Sequence, residues 1–286
     1  MKQMDSNPSN SETSVDQSPT FDYHGYDVPI QLAEMTGGGP DTFPPIADHH
    51  QRLLRHWIEL GPSDRVLELG CGIGRDAIPL GEYLTSGSYT GVDVIAPSIE
   101  WLKTNVAPRN PRFTFHHSNV SDDLHNPTGS QIAENIKLPA KNNSIDKIFL
   151  FSVFTHMFKN EIEHYLSEFR RILAPGGLVF ATGFTYTPAV LNKARQTDLT
   201  PWRLAFEHEV EDGVRINSPE SPRGAVAFRN DVWRDIMESS GLEVQAYLNG
   251  GWSGYFDDAV DGQDVVVLRM PHRSLAERIF QRKRRK

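Results

Sequence analysis

The stretch that most constrains this chain is Arg65-Val66-Leu67-Glu68-Leu69-Gly70-Cys71-Gly72-Ile73-Gly74-Arg75-Asp76. A short apolar run carries an acid near its end and gives way to three alternating glycines. This is the pattern of a buried strand that turns sharply into a helix. Only glycine lets a backbone turn so tightly while a ligand approaches the main chain. The first N–H groups of the expected helix, about Arg75 to Leu84, point back at the turn and suit an anionic group. A second run, Tyr89-Thr90-Gly91-Val92-Asp93-Val94, reaches its acid nineteen residues after Gly74. A carboxylate at the tip of the second strand of such a unit can accept hydrogen bonds from both hydroxyls of a ribose. Together the two runs predict a ligand with a ribose and a short charged tail.

The chain around them alternates. A helix is expected over about Pro97 to Val106, with Pro at a first-turn position. Phe113 to His116 predicts a third strand, Ile145 to Phe151 a strongly apolar fourth, Glu161 to Leu173 a helix and Leu178 to Thr182 a fifth strand. Such alternation builds a parallel sheet with helices on both faces. Asp231 to Ser240 predicts a helix closed by Gly241, and Leu242 to Leu248 with Asp264 to Arg269 an antiparallel pair around a polar, glycine-rich loop. Between Tyr186 and Phe228 the pattern lapses, with Pro188, Pro201, Pro219 and Pro222 and no clear strand. A segment this long without regular structure is a lid or substrate-binding insertion.

Ahead of the first strand, residues 1–20 are polar and expected to be disordered. Residues 21–60 form an arm. Phe21, Tyr23, Tyr26, Val28, Ile30 and Leu32 can dock on a core, Gly37-Gly38-Gly39-Pro40 breaks the chain, and His50 to Leu60 has helix spacing. The main domain then runs over 61–271, with its insertion at 186–228, and a basic tail occupies 272–286. The arm can fold over a ligand pocket or act as plain structure.

Composition excludes several classes. No stretch approaches the roughly 20 apolar residues of a membrane span, and the N-terminus lacks the apolar core of a signal peptide. A single cysteine, Cys71, excludes an internal disulfide and fits a reducing cytoplasm. It fills a tight turn, or offers a thiol near a helix start. The net charge of −8 argues against a general nucleic-acid binder. That charge is uneven: residues 272–286 carry seven Lys/Arg against one Glu, leaving −14 on the rest. Leu275, Ile279 and Phe280 would share one helical face of this tail, so contact with an anionic membrane surface or a polyanion competes with a simple solvated tail.

The glycine turn fits two frames. Gly72-x-Gly74-x-x-Ala77 is tolerable as a dinucleotide fingerprint. Glu68-x-Gly70-x-Gly72-x-Gly74 accounts for the acid as well, and resembles motif I of the class I S-adenosylmethionine-dependent methyltransferases. Further stretches are similar to that family: Ser118-Asn119-Val120 after strand 3, Leu138-Pro139-Ala140 and Ser144-Ile145-Asp146 before strand 4, and Leu173-Ala174-Pro175-Gly176-Gly177 before strand 5. Phe151-Ser152-Val153-Phe154-Thr155-His156-Met157 looks like the motif after strand 4 of one bacterial subgroup. Gly251-Trp252-Ser253-Gly254 and Gln263 to Val267 look like that subgroup's last two strands. The likeness covers about Leu60 to Met270. It implies a Rossmann-like seven-stranded α/β sheet, mostly parallel with an antiparallel C-terminal hairpin, and S-adenosylmethionine as cofactor.

The resemblance also implies roles. Gly70, Cys71, Gly72, Gly74 and Arg75 would hold the methionine portion, and Asp93 with Val94 the ribose. Asn119, where the family usually has Asp, and Val120 would meet the adenine, with Phe151 and Ser152 beyond strand 4. Glu68 would orient the turn. Methyl transfer displaces a good leaving group, so the protein mainly aligns the acceptor and excludes water. A base helps when the acceptor is a hydroxyl or a protonated nitrogen. His156, just past strand 4, is the candidate base, against a reading in which it contacts backbone or packs. His208 and Tyr186 are weaker candidates. Trp252, with Tyr255 and Phe256, could stack on a substrate or pack its loop. His49-His50 and His116-His117 are adjacent pairs without metal-ligand spacing, so no metal is expected.

The resulting expectation is a cytoplasmic, metal-independent enzyme, possible contact of its tail with a membrane aside, that methylates oxygen on a small-molecule or glycan-like acceptor. N-methylation, a nicotinamide-dependent reductase and a non-catalytic S-adenosylmethionine-binding module are the alternatives. The chain lacks the Tyr-x-x-x-Lys pair of short-chain reductases, and lacks an Asn/Asp-Pro-Pro-Tyr run after strand 4 of the kind nucleic-acid methylation would need.

Overall fold

A computed structural model describes residues 19–121, 124–200 and 203–272. The expected tails lie outside it, except for residues 19–20 and His272. Strand β1 (Thr20–Tyr23) and β2 (Tyr26–Pro29) form a hairpin, followed by α1 (Ile30–Glu34) and α2 (Phe43–Trp57). Then come β3 (Arg65–Leu69), α3 (Ala77–Tyr83), β4 (Ser88–Asp93), α4 (Ala96–Asn105), β5 (Phe113–His117) and β6 (Ile145–Leu150). Next are α5 (Lys159–Ile172), β7 (Leu173–Tyr186) and α6 (Pro188–Gln196). The chain continues through β8 (His208–Glu211), β9 (Val214–Ile216), β10 (Val226–Arg229), α7 (Asn230–Ser239), β11 (Glu243–Leu248) and β12 (Asp264–Arg269).

The central sheet runs β5-β4-β3-β6-β7 in parallel, then β12 and β11, each antiparallel to its neighbour. These are the seven expected strands, in the expected mixed arrangement. Alternate residues of each strand feed opposite faces. Val66, Phe149, Val265 and Val267 pack with α2, α3 and α4, whereas Leu67, Ile148, Val266 and Leu268 pack with α5 and α7.

Three differences from the sequence reading matter for the site. First, residues 186–228 are not structureless. Strand β7 is fourteen residues long. Its last residues outrun β12, which pairs only as far as Gly183. Phe184 to Tyr186 pair instead with Ala227 to Arg229 of β10, and β9 and β8 follow antiparallel, so the sheet has ten strands. These added strands have three or four residues, too few for a strand pattern to stand out, so a pre-existing edge recruits them rather than their own propensity. Pro188, expected to interrupt, starts α6 behind the Thr187 cap, where its missing N–H costs nothing.

Second, Gly176, at φ +83°, lets the turn before the fifth strand remain a bulged part of β7, which pairs Leu173 with Ile145 but Leu178 with Lys147. Third, α2 starts seven residues before the expected position. Pro44 and Pro45 occupy its first turn, where proline is tolerated. The arm docks as expected: Phe21 and Tyr23 meet Phe43 edge-on at 5.4 and 5.3 Å, and the Tyr23 hydroxyl donates to the Arg75 carbonyl at 2.9 Å.

Asp264 joins the added strands to the old sheet. It is 7% exposed and accepts from Gly250 N–H at 2.7 Å, Trp252 Nε1–H at 3.0 Å, and Thr185 N–H and Oγ1–H at 2.7 and 3.1 Å. Replacing it by Ala strands several buried donors at once. Asp264→Ala is expected to destabilise the protein by about 2–4 kcal/mol in urea unfolding. A loss within the ordinary scatter of surface substitutions would show that the hub is dispensable.

Candidate active site

The turn after β3 is fixed by the tip of β4. Gly70 and Cys71 N–H both donate to the Val92 carbonyl, at 2.7 and 3.2 Å, and Gly72 N–H donates to Asp93 Oδ2 at 2.6 Å. Gly70 and Gly72 have φ of +80° and +51°. A Cβ on Gly70 would overlap Val153, and one on Gly72 would overlap Thr36 of the arm. Both line a cleft of about 1090 Å³ beyond the carboxyl ends of the parallel strands. Gly74 does not line it; that glycine turns the chain against Leu102. The Cys71 thiol is buried, and burial pushes its pKa well up, so at neutral pH it is a protonated packing group.

Carboxylates crowd this half of the cleft. Asp93 Oδ1 accepts from Ile95 N–H at 2.8 Å, and burial raises its pKa. Glu68 is buried and accepts from the Tyr89 hydroxyl. Arg75 lies alongside, its Nε 4.0 Å from Asp76. Asp76 faces Nδ1 of the buried His50 at 2.9 and 3.1 Å, and the His50 ring stacks flat on Phe151 at 3.5 Å.

Beyond β6, Ser152 takes φ +58°. Its N–H donates to Thr182 Oγ1 at 2.8 Å and its hydroxyl accepts from Gln263 Nε2 at 2.8 Å. The chain then makes a 3-10 turn over Phe154–His156. His156 lines the cleft, and its Nδ1 lies 2.7 Å from the Arg223 carbonyl. A carbonyl only accepts, so Nδ1 carries the hydrogen and Nε2 is the basic nitrogen of the neutral ring.

Most of the sequence-derived residues thus converge: Glu68, Gly70, Cys71, Gly72, Arg75, Asp93, Val94, Val120, Phe151, Ser152 and His156 all line the cleft. Asn119 does not. Its amide donates to Ser130 at 2.9 Å and accepts from Asn126 at 3.2 Å, holding the loop that follows β5, and Ser118 and Val120 face the cleft instead. Tyr186 and His208 also stay outside it: Tyr186 is buried at the end of β7, and His208 lies exposed on β8. Trp252 is a buried wall residue, edge-on to Phe184 and Phe206 and bonded to Asp264.

Sequence reasoning missed Thr36, His50, His125, Tyr165 and Arg223, all of which line the cleft. His50 carried a signal, since it shares a helix face with Ala47 and Leu54. Among the described residues no cluster of His, Cys, Asp and Glu is placed to hold a metal, and no helix is long and apolar enough to cross a membrane.

Residues 66–177 match the family model described as a methyltransferase domain. Over that stretch the chain is similar to methyltransferase domains. A sterol 24-C-methyltransferase of Gibberella zeae is 26% identical over 204 residues, 71% of this chain and 46% of that protein. A phthiotriol/phenolphthiotriol dimycocerosates methyltransferase of Mycobacterium tuberculosis is 29% identical over 211 residues, 69% of each. The chain therefore spans only about half the length of the sterol enzyme it matches. A SAM-dependent methyltransferase from Methanosarcina mazei shares the fold, with a TM-score of 0.50 at 17% identity over 77% of this chain and 98% of that one.

S-adenosylmethionine is the cofactor of this class of domain, and the cleft fits it. The cleft offers a main-chain turn that side chains would close, a buried carboxylate and a cation. Among the described residues the buried Nε of that cation, Arg75, has no hydrogen-bond partner, as a site for an anionic group requires.

Burial, then the charge of Asp76 with a smaller part from Asp93, holds the Glu68 carboxyl well above the usual carboxylate range, against the Tyr89 hydrogen bond. A group shifted this way contributes its stability fully below its unfolded pKa of about 4.3, and that contribution is lost as pH rises through the folded value. Glu68→Gln is neutral throughout, so its stability relative to wild type should rise as pH is raised above the unfolded carboxyl value in urea unfolding at fixed salt. A difference that is flat with pH would show that Glu68 titrates as it does in the unfolded chain.

Proposed function

We propose that this chain transfers the methyl group of S-adenosylmethionine to a hydroxyl oxygen of a small, uncharged and largely apolar acceptor. When bound, the donor supplies a methyl carbon on a sulfonium, which leaves without activation. Gly70 to Gly72 and Arg75 would hold its methionine portion, Asp93 its ribose, and Ser118, Val94 and Val120 the adenine. Glu68, bonded by Tyr89, keeps the turn in shape. His156 would take the hydroxyl proton at Nε2, because Nδ1 is committed to the Arg223 carbonyl. That tautomer is the observation that carries the preference for oxygen.

The acceptor half of the cleft supports the acceptor class. Met157, Phe184, Leu204, Ala225 and Trp252 wall it. Its charged pair, Glu161 and Arg223, is closed on itself at 2.6 Å. The polar side chains on this side, Thr200, Asn217, Ser218 and Ser221, are neutral and suit a few hydroxyls on a largely apolar acceptor, which fits this wall better than a glycan. The cleft is also slightly larger than the roughly 300–1,000 Å³ of ordinary small-ligand pockets, leaving room for a second molecule. A sterol, the acceptor in the name of the Gibberella relative, is of this apolar kind.

Calorimetry with S-adenosylmethionine and its demethylated product tests the donor side. Wild type should bind both in the micromolar range, and Asp93→Ala should weaken binding by roughly tenfold or more. NADH binding without S-adenosylmethionine binding would remove the proposal in favour of a reductase. On the acceptor side, label from methyl-tritiated donor should enter hydroxylated apolar compounds rather than sugars. His156→Gln should then lower kcat by about 10²–10⁴ while donor binding persists. Equal turnover in the variant would leave His156 a packing residue.

A further inference from the structure

Arg223 grips the turn after β6 from two sides. Its carbonyl accepts from His156 Nδ1–H at 2.7 Å, and its Nη1 reaches the His156 carbonyl at 3.4 Å. The same Nη1 donates to Glu161 Oε2 at 2.6 Å. Glu161 is buried and sits in the first turn of α5, where Oε2 also accepts from Phe158 N–H at 2.9 Å. That carboxylate is therefore locked to a helix start, and the helix is packed into the core through Ile162, Leu166 and Phe169. Arg223, by contrast, belongs to the insertion, in a 3-10 turn over Pro222–Gly224 closed by Gly224 N–H on the Ser221 carbonyl at 2.9 Å. The guanidinium also lies over the Phe158 ring, 5.2 Å from its centre.

We propose that Glu161 is a positioning residue: by anchoring Arg223 it holds the insertion's main-chain carbonyl on His156 and so fixes the proton of that imidazole on Nδ1. The inference rests on the reading of His156 as the base. An imidazole without this partner exchanges its proton between two nitrogens, and only the Nδ1–H form presents a basic Nε2. The partner is supplied by the segment that also walls the acceptor half of the cleft, through Ser221, Gly224 and Ala225. Docking of the insertion and preparation of the base are thus one event, and a base is oriented only while the acceptor's wall is in place.

The tautomer can be read without any acceptor. Long-range ¹H–¹⁵N correlation spectra of the uniformly ¹⁵N-labelled full chain separate the two nitrogens of each imidazole, and His156→Gln assigns the signals. Wild-type His156 is expected in the Nδ1–H form. Glu161→Gln keeps an acceptor for Phe158 N–H but removes the charge that holds Arg223, and Arg223→Ala removes the anchor while keeping the carbonyl. In both, the Nδ1–H fraction should fall by about twofold or more, and Arg223→Lys, which keeps a cation for Glu161, should restore part of it. A change confined to the thermal midpoint, with the tautomer unmoved in both variants, would overturn the proposal. So would a wild-type His156 protonated on Nε2, which needs no variant to fold. Failure of the donor to bind in calorimetry would instead defeat the methyltransferase reading, while the tautomer result stands independently.

Discussion

Everything in the cleft depends on how the turn after β3 is tied to the tip of β4. Three consecutive N–H groups, of Gly70, Cys71 and Gly72, are spent on two acceptors, the Val92 carbonyl and the Asp93 carboxylate. A turn with positive φ at two of its residues would otherwise sample many conformations, since glycine loses more freedom on folding than any other residue. The bonds to β4 select one. They also place Asp93, which accepts from the Gly72 and Ile95 N–H groups, in the wall of the cleft. The arm completes the arrangement from outside. Thr36 sits against Gly72, and Tyr23 bonds the carbonyl of Arg75, so the segment that precedes the domain in sequence forms part of its wall.

The far side of the cleft follows from the length of one strand. Because β7 continues past β12, its last three residues offer an unpaired edge, and unpaired edges recruit strands. The insertion supplies β10, and with it β9 and β8, so its loops arrive over the carboxyl ends of the sheet. Asp264 stands at the junction, where β7 exchanges one neighbour for the other, and satisfies the donors that this exchange would leave bare. A separate apolar cluster, with Phe184, Phe206 and Trp252, grows on this junction.

The parts of this protein that the sequence made legible are those in which a local pattern and the tertiary role agree. The seven-strand sheet was legible because each strand alternates or runs apolar between turn residues, and the glycine turn because its residue types admit few backbones. Asp93 was placed by its position at the tip of β4, and His156 by its position just past β6. Asn119 misled because position along a strand does not say which way a side chain turns two residues beyond its end, and here a loop claims the amide. The insertion was illegible for a different reason. Strands such as His208-Glu209-Val210-Glu211 carry no signal of their own, and the edge that pairs them lies at the end of another element. Arg223 acts through its carbonyl as much as its side chain, and backbone acceptors leave no trace in residue identity.

Electrostatics give the donor half of the cleft a further constraint. Glu68, Asp76 and Asp93 are all nearly inaccessible to water, against one arginine and His50. Burial of several carboxylates together is unfavourable, and the upward shifts of Glu68 and Asp93 express that cost. A core built for stability alone would replace them with apolar groups. Their retention in a cleft is intelligible if a ligand of opposite charge shares the enclosure, because positive charge in the same low-dielectric space offsets the repulsion that water cannot screen there. A sulfonium donor carries one more positive charge than the thioether left after transfer. The same carboxylates would then favour the reactant over the product, and the spent cofactor would leave more readily than the fresh one binds.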